Sequence, residues 1–103
     1  MTAYWVARSK INDPVRYKRY TDLVPDIVAA HHGRILARGG EFAVLEGPPK
    51  FERFVVIEFP SLAHARQCHD SAEYQAASRW RKEDNVGEVE LVIVEGVPPA
   101  APR

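Results

Sequence analysis

Three charged residues on predicted strands, Glu58, Arg38 and Arg8, could bind a ligand or transfer a proton. Glu58 interrupts the apolar strand Arg53–Phe59, and the alternation of side chains along a strand places it on the face opposite Ile57. Arg38, near the end of the preceding strand, is its most natural partner, and Arg8 on the first strand is another. A buried arginine–carboxylate pair can hold a ligand carboxylate or relay a proton. We therefore predict Glu58 as a catalytic acid or base and both arginines as ligand-binding residues; the alternative is a structural ion pair at a dimer interface.

A histidine beside an aspartate forms the second candidate for chemistry. His69 precedes Asp70 directly, and an imidazole with a neighbouring carboxylate is a common general base. Adjacent residues on a helix do not face each other, and Asp70 is also suited to cap the helix that follows. We therefore expect the two side chains to stay apart, and His69 is the second predicted catalytic residue.

Two tyrosines complete the predicted site. Tyr74 follows a predicted helix break near the strand ends, and Tyr17 lies on the apolar stripe of the first helix together with Tyr20. Both Tyr74 and Tyr17 are predicted to bind ligand through their phenol groups. The alternative is that these tyrosines are core aromatics whose hydroxyl groups are satisfied internally.

Metal and cofactor motifs are weak in this sequence. His64 and Cys68 lie four residues apart and share a helix face, but they supply two of the four ligands that zinc needs, and no second pair accompanies them. Gly39–Gly40 lacks the lysine and hydroxyl signature of a phosphate loop. We predict neither a metal nor a cofactor.

Composition limits the class of protein. The 103 residues carry 14 basic and 14 acidic side chains, so the net charge is zero and nucleic acid is not a predicted partner. A single cysteine, Cys68, fits a reducing compartment. No apolar run approaches the roughly 20 residues of a membrane helix, and the first residues lack the pattern of a signal peptide. We predict a cytoplasmic protein with no membrane partner.

Hydrophobic periodicity predicts the elements that must position these residues. In chain order they are a strand at Tyr4–Ser9, a helix from Pro14 to about His32, strands at Arg34–Arg38 and Arg53–Phe59, helices at Leu62 to about His69 and Ala72 to about Lys82, and a strand at Glu88–Glu95.

Local signals set the predicted ends of these elements. Asp13 is expected to cap the first helix, Gly33 to end it in a left-handed conformation, and Asp70 with Glu73 to form a capping box. Pro25 lies inside the first helix, and we expect a kink or a break there. Gly39–Gly40 is expected to form a bulge or a bend, with an extended segment from Phe42 to Glu46.

The order β-α-β-β-α-β, with the second helix split in two, predicts a ferredoxin-like α+β domain over residues 1–96. Residues 97–103 are predicted to form a flexible proline-rich tail. The strands are apolar on both faces of the sheet, whereas the two helical regions lie on the same side and cover only one of these faces. A second copy of the chain is the economical cover for the other face, so we predict a homodimer.

Several motifs resemble one family. Tyr4–Arg8, Arg38–Gly40, Glu58–Ser61 and Ser71–Gln75 are together similar to domain of unknown function 1330, and the similarity runs from the first strand to the last. The resemblance implies a dimeric α/β barrel, in which ferredoxin-like protomers join their sheets back to back. Two positions, His69 and Ala72, depart from the family's usual aromatic residue and proline.

The sequence predicts a small-molecule pocket and leaves its use open. One hypothesis is an enzyme that transforms a small, partly apolar or acidic molecule by cofactor-free acid–base chemistry, with Glu58 as acid or base and Arg38 as the anion holder. The other is a non-catalytic binding or interaction module whose polar residues stabilise the dimer.

Overall fold

A computed structural model describes residues 1–98 as one antiparallel sheet with helices against one face. The elements are β1 (Ala3–Ile11), α1 (Pro14–Ala30), β2 (Arg34–Arg38), β3 (Arg53–Phe59), α2 (Leu62–Asp70), α3 (Ala72–Lys82) and β4 (Gly87–Glu95). The strand order is β2-β3-β1-β4, with antiparallel pairing throughout. The predicted ferredoxin-like fold with a split second helix is confirmed. Val97 and Pro98 belong to no helix or strand, and the rest of the predicted tail lies outside the described residues.

Helix α1 begins as predicted but ends differently. The Asp13 carboxylate accepts a hydrogen bond from the Arg16 backbone N–H at 3.1 Å, so it is the N-cap. The helix runs through Pro25 without dividing. At its end His32 takes the left-handed conformation (φ 64°) that we predicted for Gly33. Gly33 serves close packing instead, because a Cβ there would lie 2.7 Å from Cε1 of Phe59.

The junction between α2 and α3 is capped by serine rather than aspartate. The Ser71 hydroxyl accepts from the Tyr74 backbone N–H at 3.2 Å and donates to the Cys68 carbonyl at 2.7 Å. Asp70 is the last residue of α2 and therefore sits one position too early to cap α3. The predicted capping box of Asp70 and Glu73 is wrong.

A β-bulge interrupts the pairing of β2 with β3. Ile35 pairs with Ile57 and Ala37 pairs with Val56, so Leu36 is the extra residue. The bend predicted at Gly39–Gly40 is also present, because Gly39 forms a bend with φ 65° immediately after β2 ends. The segment predicted to be extended, 42–46, is not a strand.

Strand alternation places Ile57 and Glu58 on opposite faces of the sheet, as predicted, and Ile57 belongs to the core. Trp5, Ile57 and Phe59 are buried against Val28 of α1 and Tyr74 of α3. Burying each of these side chains stabilises the fold by about 1.5–3 kcal/mol relative to leaving it exposed. The helices therefore cover the face that carries the odd-numbered residues of β1 and β3.

The opposite surface of the sheet, here called the open face, has no helix over it. Its exposed apolar side chains include Val6, Val92 and Val94, and Val92 is 61% exposed. The protomer is thin, with principal extents of 44 × 36 × 17 Å. Within residues 1–98, no helix is long and apolar enough to cross a membrane.

Candidate functional site

An apolar cleft lies between α1 and the covered face of the sheet. Trp5 and Ile57 form its floor, and Val24 of α1 contributes to its wall. The cleft has a volume of about 30 Å³. A water molecule needs at least about 10–15 Å³ of such space, so the interior takes only the head of a larger ligand.

Two arginines give this apolar cleft a positive character. Arg53, at the start of β3, is half-buried, and Arg38, at the end of β2, is exposed. Neither guanidinium forms an ion pair with any residue between 1 and 98. Gly39 leaves room beside Arg53, because a Cβ there would lie 2.8 Å from its Nη1 atom. Unpaired cations beside an apolar surface suit a ligand that has both an apolar body and an acidic group.

Tyr17 and Tyr20 bring phenol groups to the same cleft. Their rings meet edge to face at 5.5 Å. Burial raises the pKa of Tyr17, and burial likewise raises the pKa of Tyr20 with a further contribution from Tyr74. Both phenol groups are therefore protonated at neutral pH, and the Tyr20 hydroxyl is already hydrogen-bonded to that of Tyr74.

Hydrogen bonds link Tyr20 to two buried polar side chains, those of Tyr74 and Arg81. The Tyr20 and Tyr74 hydroxyl oxygens are 2.8 Å apart, and Nη2 of Arg81 donates to the Tyr74 hydroxyl at 3.0 Å. Arg81 is only 7% exposed, and its Nε atom has no partner among the described residues. No described carboxylate neutralises Arg81, which is unusual for a buried charge.

The structure separates the predicted partners Glu58 and Arg38. Glu58 lies on the open face, where its carboxylate is 3.8 Å from Arg34. Arg38 pairs with Val55 and therefore projects on the covered side. Unbroken alternation along β2 would have placed Arg38 on the face of Glu58, but the bulge at Leu36 consumes one residue and reverses the face. The expected Glu58–Arg38 pair is wrong.

Arg8 also lies outside the cleft. Its guanidinium forms an ion pair with Glu90 at 2.6 Å and covers the Phe51 ring at 4.5 Å. These contacts border a depression of about 640 Å³ on the open face, lined in part by the β2–β3 loop. Of the predicted ligand-binding residues, Arg38 and Tyr17 line the cleft, and Tyr74 is buried one step behind it.

His69 and Asp70 do meet, contrary to expectation. The Asp70 carboxylate is 2.9 Å from Nδ1 of His69, and the two residues are the last two of α2. The ring packs on Trp5 and Tyr74 at centroid distances of 5.9 and 5.5 Å. His69 borders a separate depression of about 190 Å³ beside Leu91. Its catalytic role stays a prediction, as does that of Glu58.

The weak metal motif has other contacts. Nδ1 of His64 lies 2.7 Å from the Ser61 hydroxyl, and Cys68 is fully buried. Within the described part of the chain, no three His, Cys, Asp or Glu side chains are grouped to hold a metal ion.

Sequence reasoning missed Tyr20, Arg53 and Arg81 as site residues. Arg53 had a usable signal, because it shares strand parity with Val55 and therefore faces the cleft. Arg81 lies seven residues after Tyr74, which is two helical turns along the same face. The contact of Tyr74 with Tyr20 joins residues 54 positions apart and has no local signal.

The fold and the sequence together identify the family. The sequence model of domain of unknown function 1330 matches residues 2–97, and the chain belongs to this family. No curated protein matches the sequence.

Solved structures show the same fold at low sequence identity. A protein of unknown function from Rhodopseudomonas palustris is 15% identical, with a TM-score of 0.71 over 95% of this chain and 84% of that chain. SnoaB, a cofactor-independent oxygenase from Streptomyces nogalater, is 11% identical, with a TM-score of 0.63 over 96% of each chain. A dimeric protein of unknown function with a ferredoxin-like fold, from Bacteroides fragilis, is 15% identical, with a TM-score of 0.61 over 92% of this chain and 96% of that chain.

Proposed function

We propose that this protein binds a small, partly apolar molecule with an acidic oxygen in the cleft between α1 and the sheet. The observation that carries the proposal is the pairing of apolar walls with two unneutralised guanidinium groups, those of Arg38 and Arg53. An apolar edge of the molecule would enter the cleft against Trp5 and Val24, while the acidic oxygen would be held at the positive end. Protein side chains alone supply these contacts, so the proposal requires no cofactor.

Chemistry on the bound molecule is the finer part of the proposal. SnoaB is described as a cofactor-independent oxygenase, and a second protein of this fold, from Caulobacter crescentus, as a putative antibiotic biosynthesis monooxygenase. The fold thus accommodates such activities, and the tyrosine hydroxyls of the cleft can donate hydrogen bonds to negative charge that develops on the ligand. The predicted cytoplasmic location is part of the same proposal.

A test of binding uses 4-nitrophenol, a small aromatic molecule with an acidic hydroxyl. We expect the protein to bind it, and Arg53→Met to weaken binding about tenfold, the effect of a hydrogen bond to a charged group. Arg38→Met should have a smaller effect because Arg38 is exposed. Arg79→Met, an exposed arginine on α3, is the matched control. Absence of binding, or equal affinities in all three variants, would refute the proposed site.

We further propose that the protein is a homodimer joined through the open face. Exposed apolar side chains cluster there on β1 and β4, and Leu45 of the β2–β3 loop is 89% exposed. Apolar patches of this kind on a soluble chain mark interfaces. The similar protein from Bacteroides fragilis is described as dimeric.

The ion pairs of the open face fit this assembly. Arg34 with Glu58, and Arg8 with Glu90, place opposite charges on the surface that a second copy would cover. Paired charges cost less to bury than single ones, so these four residues favour a role in the dimer rather than in ligand chemistry. This observation supports the second candidate function, an interaction module, for this face alone.

Native mass spectrometry tests the dimer. We expect the wild-type protein to appear as a dimer and Val92→Glu to appear as a monomer, because a carboxylate would be buried without a partner at the interface. Val15→Glu is the matched control, since Val15 is 74% exposed on α1, away from the open face. A monomeric wild-type protein would overturn the assembly.

A further inference from the structure

The hydroxyl hydrogens of Tyr20 and Tyr74 can be assigned by counting donors and acceptors. Arginine has only donors, so the Tyr74 oxygen must accept the hydrogen bond from Arg81. The Tyr20 and Tyr74 hydroxyl oxygens are 2.8 Å apart, so one of the two hydroxyl hydrogens lies between them in a hydrogen bond. The other hydrogen must point away from the pair.

Burial decides which hydrogen points away. Tyr74 is fully buried, and its hydroxyl contacts no acceptor among residues 1–98 other than Tyr20. If Tyr20 donated to Tyr74, the Tyr74 hydrogen would be buried without a partner, which is strongly disfavoured. If Tyr74 donates to Tyr20, the remaining hydrogen belongs to Tyr20, whose side chain lines the cleft.

The positive charge of Arg81 strengthens this direction. A hydroxyl that accepts a hydrogen bond from a cation becomes a better donor, so Tyr74 is polarised toward Tyr20 and Tyr20 toward the cleft. The guanidinium also covers the Tyr20 ring at 5.1 Å, which fixes the ring in place. No carboxylate among the described residues pairs with Arg81, so its positive charge polarises the two tyrosine hydroxyl groups.

We infer that Tyr20 presents its hydroxyl hydrogen to the cleft as a fixed donor, set by Arg81 through Tyr74, and that the ligand is a phenol or enol held there as its anion. The inference rests on the proposed function of the cleft and names its substrate class. Tyr20 touches the ligand oxygen, as Arg53 does in the proposed site, whereas Tyr74 and Arg81 are positioning residues. A donor aimed at that oxygen before binding stabilises the anion more than the neutral molecule.

The test measures the pKa of 4-nitrophenol when it is bound, from the absorbance of the nitrophenolate over a pH series. Wild-type protein should lower this pKa, with the released proton passing to buffer. Tyr20→Phe should reduce the preference for the anion about tenfold, as expected for a lost hydrogen bond to a charged group. Tyr74→Phe, which removes one oxygen and keeps the ring, should cause a smaller loss of the same kind.

Arg81 is tested by two substitutions because its removal disturbs the core. Arg81→Met should reduce the preference for the anion, and Arg81→Lys, which keeps a positive donor, should restore part of it. Tyr4→Phe makes the same change as Tyr20→Phe on the open face, and it should behave as wild type.

The outcomes separate the two proposals. No binding of 4-nitrophenol by any form of the protein would overturn the proposed function and the inference with it. Binding with an unchanged preference for the anion in both Tyr20→Phe and Tyr74→Phe would overturn the inference alone and leave the binding site standing.

Discussion

Gly87 makes room for the Tyr17 ring, and replacing it with alanine should destabilise the protein measurably. A Cβ at position 87 would lie 2.6 Å from Cε2 of Tyr17, whereas ordinary contact begins at 3.4 Å, so the ring must retreat by about 0.8 Å. Tyr17 is 4% exposed and packs against Tyr20, which leaves little space for that movement. Overpacking of this kind costs about 1–3 kcal/mol.

Gly40 provides the matched control for this substitution. A Cβ at position 40 meets nothing within 4 Å, and its φ is not positive. Gly40→Ala should therefore stabilise the protein by about 0.4–1 kcal/mol, because alanine reduces the freedom of the unfolded chain. Gly87→Ala gains the same entropic effect, so the difference between the two variants isolates the clash.

Urea unfolding at one fixed protein concentration measures this difference, since the stability of the proposed dimer would depend on concentration. We expect Gly87→Ala to be less stable than Gly40→Ala by about 1–3 kcal/mol, the cost of the overpacking alone, because the entropic gain is common to both variants. Equal stabilities within about 0.5 kcal/mol, the usual range of neutral surface substitutions, would refute the packing argument.

Three further predictions follow from single contacts. Burial raises the pKa of Cys68 from 9.0 to about 11, so the stability that the protonated thiol contributes is complete below pH 9.0 and is lost as the pH rises towards 11. Over this range the urea midpoint of the wild-type protein should fall more steeply with pH than that of Cys68→Ala. Equal pH dependence of the two midpoints would contradict the raised pKa. Ser71→Ala should lower the free energy of unfolding in urea by about 1 kcal/mol, and Asp70→Ala should lower it by less. A larger loss for Asp70→Ala than for Ser71→Ala would show that aspartate is the cap. Glu58→Gln should leave the affinity for 4-nitrophenol unchanged, because the Glu58 carboxylate lies on the open face beside Arg34; a loss of affinity would place Glu58 in the site.

Periodic features of the sequence predicted most of the fold. Residue parity along β3 correctly placed Glu58 on the face opposite Ile57, which is the buried one. The Asp13 cap at the start of α1 is a local signal and was also found. These features depend on residues within one turn or one strand, where spacing determines geometry.

Non-local and single-residue features escaped prediction. The bulge at Leu36 has no distinctive residue type, because leucine fits a regular strand equally well, and it moved Arg38 to the other face. The polar chain behind the cleft joins α1 to α3, and only the folded structure brings Tyr20 beside Tyr74. The candidate site was therefore predicted in part, through Arg38 and Tyr17, while its partners depended on tertiary contacts.

The bulge also determines where this chain can change in length. A deletion inside a regular strand inverts the face of every residue beyond it. Without Leu36, however, Ile35 and Ala37 would oppose neighbouring residues of β3 in a regular ladder, and Arg38 would still oppose Val55. Relatives one residue shorter at this position can thus keep the same cation at the cleft, whereas an equal loss within β3 would turn the core outward.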